Sequence, residues 1–185
     1  WVGYGSAITG VTVSLALQGA YQNTVGAGND YIAGFENLGG SAFADTLTGN
    51  ASANVIDGSQ GDDTLNGGDG DDTLMSGFVV TLNGIPVLSD NDTLAGGNGT
   101  DTASYENLTT LILDPGASPS TEGVWVSLLL QGAAQDTVHA GLDTLSGIEN
   151  LTGSALDDHL TGDAGNNILK GGAGDDILEG GLGTD

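Results

Sequence analysis

The chain has 185 residues, enough for one domain or two small units of one architecture, and it carries 25 acidic residues against one Lys or Arg, a formal charge of -24. That charge disfavours nucleic acid and anionic membrane as partners, favours cations, and opposes compaction until something positive neutralises it. With no cysteine there is neither a disulfide nor a thiolate metal site, and 34 glycines beside only three Phe, two Trp and four Tyr exclude a conventional large core.

In chain order, Val11-Thr12-Val13-Ser14-Leu15-Ala16-Leu17 is the first clear element: four apolar side chains alternate as a one-sided strand requires, and Gln18-Gly19 ends it. A shorter turn and strand follow in Ala27-Gly28-Asn29-Asp30-Tyr31-Ile32, and Gly34-Phe35-Glu36-Asn37-Leu38 leads into a periodic stretch. Written in nines from Gly40, the residues read GSAFADTLT, GNASANVID, GSQGDDTLN and GGDGDDTLM. Glycine stands first at Gly40, Gly49, Gly58 and Gly67; the sixth residue is Asp45, Asn54, Asp63 or Asp72; the eighth is Leu47, Ile56, Leu65 or Leu74. Three columns at period nine fit neither a helix nor a coiled coil, but they fit a solenoid in which each nonapeptide supplies one turn and one short strand. In Gly67-Gly68-Asp69-Gly70-Asp71-Asp72-Thr73-Leu74-Met75 the glycines let the backbone turn tightly, and Asp72 sets a carboxylate beside inward carbonyls. Those are oxygen ligands for a hard cation.

Residues 76–88 interrupt the period. Asn83-Gly84 between apolar runs predicts a hairpin with a type I′ turn, in which Pro86 limits pairing of the second strand. The nines resume with Ser89-Asp90-Asn91-Asp92-Thr93-Leu94-Ala95 and Gly96-Gly97-Asn98-Gly99-Thr100-Asp101-Thr102-Ala103-Ser104. Two prolines with Gly, Ser and Thr make residues 105–122 a connector, in which 108–113 offers one more strand. Residues 123–185 then align without a gap on residues 10–72, with 37 of 63 positions identical. The second set of nines is GSALDDHLT from Gly153, GDAGNNILK from Gly162, GGAGDDILE from Gly171 and a last copy from Gly180 that stops at Asp185. The expected organisation is a first block at 1–104 with a loop or hairpin inserted at 76–88, the connector at 105–122, and a truncated second block at 123–185.

The copies at Gly67, Gly96 and Gly171 match G-G-x-G-x-D-x-U-x, and on these residues the chain resembles the RTX, or haemolysin-type, calcium-binding repeat family. The resemblance implies an all-β fold, a parallel β-roll (right-handed β-solenoid) in which residues 18 apart stack and several calcium ions sit between stacked turns. It stacks Asp45 with Asp63 and Asn54 with Asp72, and in the second block Asp158 with Asp176 and Asn167 with Asp185. If the insertion leaves the alternation unchanged, Asp63 stacks with Asp92 and Asp72 with Asp101. The implied metal ligands are those carboxylates, the Asn167 side chain and the backbone at Gly58, Gly61, Gly67, Gly68, Gly70, Gly96, Gly97, Gly99, Gly162, Gly165, Gly171, Gly172, Gly174, Gly180, Gly181 and Gly183. Asn54 lacks a charge, and Ser52, Phe43 and Leu156 replace the fourth-position glycine, which weakens those turns. Glu36 and Glu149 stand where an acidic group would close the first coil.

The fifth-position acids Asp62, Asp71, Asp157 and Asp175 are read as facing water, His139 and His159 as surface residues, and Trp125 as packing at a sheet edge. Ser154, Asp157 and His159 lack a nucleophile elbow or oxyanion-hole sequence, so no catalytic residue is assigned and the chain is not read as an enzyme. The function expected is a calcium-binding module of a secreted, extracellular or cell-surface protein, folding on extracellular calcium and implying type I secretion. Its partners are calcium and the remainder of a larger parent chain, with no nucleic acid and no membrane insertion; the macromolecular ligand stays open. Alternatives are an accessory module of a secreted polysaccharide-modifying enzyme, protease or lipase, and an adhesin or ice-binding solenoid, the last opposed by uneven seventh and ninth positions.

Overall fold

The computed structural model describes residues 1–77, 90–108 and 121–185, together with the strand backbone at 81–82 and 85–86. Each nonapeptide makes one turn and one short strand, and successive strands lie on opposite faces, so the chain coils as a parallel β-roll. Among the described residues one face stacks Val2–Gly3, Asn37–Gly39, Val55–Asp57, Thr73–Met75, Thr102–Ser104, Asn150–Thr152 and Leu169–Lys170 in that order. The opposite face stacks Thr12–Ser14, Thr46–Thr48, Thr64–Asp69, Thr93–Asn98 and Leu142–Ser146, and Ala134–Asp136 folds back antiparallel on the last. There the second face ends, and Glu122–Ser127, Asp157–Thr161 and Ile177–Glu179 start a new parallel sheet. The first face continues unbroken through both blocks, which makes one solenoid of them.

The core is thin because most strands hold only about three residues and only the middle one points inward. Leu38, Ile56, Leu74, Ala103 and Leu151 form one inward file and Leu47, Leu65, Leu94 and Leu145 the other, all with no exposed surface. Register keeps each file straight, pairing Ile56 with Leu74 and Leu65 with Leu94. Burying one such side chain stabilises by about 1.5–3 kcal/mol, so the fold is a sum of small equal steps.

The alternation survives the insertion. Thr64 pairs with Thr93 and Thr73 with Thr102, a separation of 29 where Thr46 and Thr64 are 18 apart. Ser76 and Gly77 keep the first two places of the interrupted turn, and Gly77 lies against the Ser59 carbonyl of the turn below. The expected hairpin pairs Thr81–Leu82 antiparallel with Ile85–Pro86; its Asn83-Gly84 turn lies outside the described residues. So do connector residues 109–120, including most of the strand anticipated at 108–113. The start of that connector is part of the roll: the Tyr105 N–H donates to Thr152 O at 2.9 Å, and Tyr105 and Leu108 are buried.

The strand expected over residues 11–17 is shorter. Only Thr12–Ser14 is extended, and Leu15–Leu17 is a 3₁₀ turn that leaves Leu17 exposed. The Ser14 hydroxyl accepts from the Ala16 N–H, and the Gln22 amide takes both backbone groups of Ser14 at 2.8 and 3.1 Å, which removes them from further pairing. Ser127, Leu128–Leu130 and Gln135 repeat part of the device in the second block, where Gln135 Oε1 accepts from the Ser127 N–H and the Gln135 amide nitrogen makes no hydrogen bond. Trp125 lies on a strand with its side chain exposed and edge-on to His159, ring centroids 5.5 Å apart.

Candidate metal centres

The turns stack as the strands do, and eight of the sixth residues join the next coil through one backbone N–H. In the row before the second face, the Asp45 N–H donates to Asp63 Oδ1 at 2.8 Å, the Asp63 N–H to Asp92 Oδ1 at 2.9 Å, and the Asp92 N–H to Asp143 Oδ1 at 2.9 Å. In the other row Asn54 donates to Asp72, Asp72 to Asp101, and Asp101 to Glu149 Oε2, at 2.7 to 2.8 Å. The second block repeats the ladder from Asp158 to Asp176 at 3.0 Å and from Asn167 to Asp185 at 2.9 Å. The structure therefore brings together all six pairs that the resemblance implied, four of them 18 residues apart and two 29 apart across the insertion, and Glu149 closes one row. Glu36 instead offers its carbonyl, which accepts from the Asn54 amide at 2.6 Å.

The ladder uses one oxygen of each carboxylate, and the second oxygen divides the turns into two kinds. Where the second turn residue is Ser41, Asn50, Ser154 or Asp163, its own N–H donates to Asp45, Asn54, Asp158 or Asn167 at 2.5 to 2.8 Å. Asp45 and Asp158 also accept from Ser41 Oγ and Ser154 Oγ, and from the N–H groups of Val11 and Val124. These turns close on themselves, the one containing Gly162 and Gly165 among them. Ser154 is thereby committed to Asp158, and Ser154, Asp157 and His159 do not assemble into a nucleophilic triad; His159 Nε2 instead lies 3.9 Å from Glu179.

Where the second residue adopts a left-handed conformation, as at Ser59 (φ 75°), Gly68 (109°) and Gly97 (114°), that closure is missing. Asp63, Asp72 and Asp101 are buried there, and the Oδ2 of each has no hydrogen-bond partner. An unpaired buried carboxylate is costly and calls for a positive partner. The surroundings fit a cation. A Cβ on Gly67 would land on Asp72 Oδ2 and close to Gly96 O, so only glycine leaves that carboxylate and carbonyl facing one space. Gly58, Gly96, Gly171 and Gly180 sit likewise against the second oxygens of Asp63, Asp101, Asp176 and Asp185. The fourth-position residues Gly61, Gly70, Gly99, Gly174 and Gly183 are also left-handed and pack directly on the coil below, as do Gly172 and Gly181 at the second place. Among the described residues no three acidic or His side chains converge on a single point. An ion here takes carboxylates from stacked turns and completes its shell with main-chain carbonyls, a mixture that suits calcium.

Electrostatics point the same way. Burial, followed by the charges of Asp92, Asp45 and Asp90, pushes the Asp63 carboxyl up to about 9 against the pull of the Asp45 N–H. Burial likewise lifts Asp90 to about 8, Asp143 to about 8, Asp92 to about 7 and Asp72 to about 6, and it raises Asp101. Without a cation these groups favour a proton. The fifth-position acids play another part: Asp62, Asp71 and Asp157 accept from the N–H of Asn91, Thr100 and Asp175 along the outer edge.

Asp90 and Asp143 belong to this centre and were not anticipated. Asp143 has no exposed surface, with Tyr105 Oη at 3.0 Å and Thr137 Oγ1 at 3.4 Å on its Oδ2. It is the sixth residue of an isolated nonapeptide, Val138 to Ser146, whose Gly141 stacks on Asp90. The gapless alignment that pairs it with Asp30 was the signal available for it.

Comparison with protein families matches the RTX calcium-binding nonapeptide repeat, in four copies, at residues 39–74, 88–103 and 152–185. These segments are RTX calcium-binding repeats. They hold every ladder residue named above except Glu149, Asp143 and the outer Glu36, and RTX nonapeptides bind Ca2+. Such repeats are structural elements, not catalytic ones, and are typical of secreted proteins. Comparison with curated proteins finds no match.

Proposed function

We propose that this chain is a calcium-responsive folding module of a secreted protein, ordered by extracellular calcium and serving the secretion, stability or presentation of a larger parent chain. The observation that carries the reading is the set of buried, unpartnered oxygens on Asp63, Asp72 and Asp101, each beside a glycine cradle. Calcium is assigned to the turns of Asp63, Asp72, Asp92 and Asp101, and to those of Asp176 and Asp185 in the second block. Asp45, Asp158, Asn54 and Asn167 close their turns by hydrogen bonds instead. We read the chain as two stacked blocks divided near residues 105–122. Filling about six divalent sites supplies roughly +12, half of the formal charge, so folding and metal binding become one event.

Far-ultraviolet circular dichroism at neutral pH with calcium and with chelator tests this. Disorder in chelator and a β spectrum with calcium are expected; a full β spectrum after chelation would overturn the reading.

A further inference from the structure

At the fourth place of the turn the described chain puts glycine in most copies and an uncharged residue in the weak ones. The interrupted turn is the exception, with Asp90. Asp90 is 1% exposed; its Oδ1 accepts from the Gly61 N–H at 2.9 Å, and its Oδ2 has no partner. That free oxygen points into the seam where the chain leaves and re-enters the roll. A Cβ on Gly77 would overlap Ser59 O and stand 2.9 Å from Asp90 Oδ2, so Gly77 leaves carbonyl and carboxylate facing the same cradle. Asp92 is two residues on and also buried. It is partly compensated by the Gly77 N–H, although its Oδ2 makes no hydrogen bond of good geometry, so Asp90 carries the argument.

We propose that Asp90 is a calcium ligand and that, with Asp92 and main-chain carbonyls such as Ser59 O, it forms a cation site at the base of the insertion. Here one turn supplies two buried carboxylates, Asp90 and Asp92, where every other described turn supplies at most its sixth-place group, and this site binds calcium most tightly in the chain. Its ion joins Gly77, before the insertion, to Asp90, after it, and so fixes the alternation of faces across the interruption. The inference rests on the calcium reading above. Two carboxylates from one irregular turn with carbonyls suit calcium over magnesium, which demands an octahedral shell and keeps its waters.

The test is calcium titration by isothermal calorimetry, with ions counted by native mass spectrometry, on the full chain and on Asp90→Asn and Asp90→Gly. Asp90→Gly restores the residue usual at this place, so it folds even where Asp90→Asn does not, and circular dichroism at saturating calcium verifies both. Expected is loss of the tightest class of site, its affinity falling roughly tenfold or more in both variants while the remaining sites keep theirs. Affinities and ion counts within about twofold of the parent chain in the variants would overturn the assignment of Asp90 and leave the calcium reading standing. A parent chain that binds no calcium would overturn both.

Discussion

Acid should replace calcium. The perturbation is to hold the chain in chelator and lower the pH from 8 to 5. Asp63, Asp72, Asp90, Asp92, Asp101 and Asp143 have folded pKa values above the ordinary 3.8, because burial and neighbouring carboxylates penalise their charge. A raised folded value means that protonation favours the folded state: the stabilisation is complete below about pH 4 and vanishes as pH rises through the folded values. With Asp63 at about 9, Asp90 and Asp143 at about 8, Asp92 at about 7 and Asp72 at about 6, the first three are protonated at pH 7 and the fourth half so. Folding without metal therefore takes up about three protons, and stability changes on the order of 4 kcal/mol per pH unit near neutrality. Circular dichroism in chelator should show β structure returning as the pH falls. Loading the acid-folded chain with calcium at pH 5 should release the protons held by Asp63, Asp90, Asp143, Asp92 and Asp72, about five per chain, measurable in weakly buffered solution. No gain of β signal between pH 8 and 5, or release of less than about one proton, would refute the claim that these carboxylates drive the calcium requirement.

Three further outcomes follow from the turn geometry. Asn54→Asp removes the amide donor that Glu36 O accepts at 2.6 Å and sets two oxygens face to face; in chelator it should cost about 1–3 kcal/mol, with the loss recovered in calcium, as thermal melts in both conditions would record. Gly77→Ala drives a Cβ into Ser59 O and should lower the melting midpoint in calcium by several degrees, whereas Gly3→Ala, with open space around it, should leave it unchanged. Val25 and Val138 hold left-handed conformations at φ 59° and 68°, which β-branched residues strongly disfavour. Replacing the more exposed Val25 by Gly should therefore raise stability by up to about 1 kcal/mol in calcium denaturation curves, and a loss would show that its side chain contributes packing.

The parts of the fold legible in the sequence are those that repeat in frame. Glycine, acid and leucine columns at period nine give the two faces, the inward leucine files and the stacking of Asp63 on Asp92 across the insertion, because a solenoid turns spacing directly into neighbourhood. What stayed hidden is what stands out of frame or depends on local competition. Asp30 and Asp143 each end a solitary turn with Gly28 or Gly141 two residues before, and one nonapeptide shows no period. Tyr4 and Tyr105 occupy matching places, each beginning the turn that follows a first-face strand, but they lie 101 residues apart while the alignment runs at another offset. The pattern of Val11, Val13, Leu15 and Leu17 is a true strand pattern, defeated by Ser14 and Gln22, whose side chains take the backbone groups that pairing would have used.

A single backbone torsion decides whether a coil needs metal. At Ser41, Asn50, Ser154 and Asp163 the second-place N–H turns inward and satisfies the sixth residue. At Ser59, Gly68, Gly97, Gly172 and Gly181 the left-handed conformation removes that donor. The left-handed conformation at the second place, whether glycine or Ser59 adopts it, thus creates the demand for a cation, and the carboxylate at the sixth place makes the demand strong. Each block opens with two self-closing turns and continues with open ones. The first coils of a block consequently fold with their sixth-place side chains hydrogen-bonded and supply a template edge, while the later coils of the first block add buried carboxylates that only a cation, or a proton, relieves. Calcium therefore governs the extension of the roll more than its initiation, and the ladder of N–H to carboxylate bonds passes that requirement from one coil to the next.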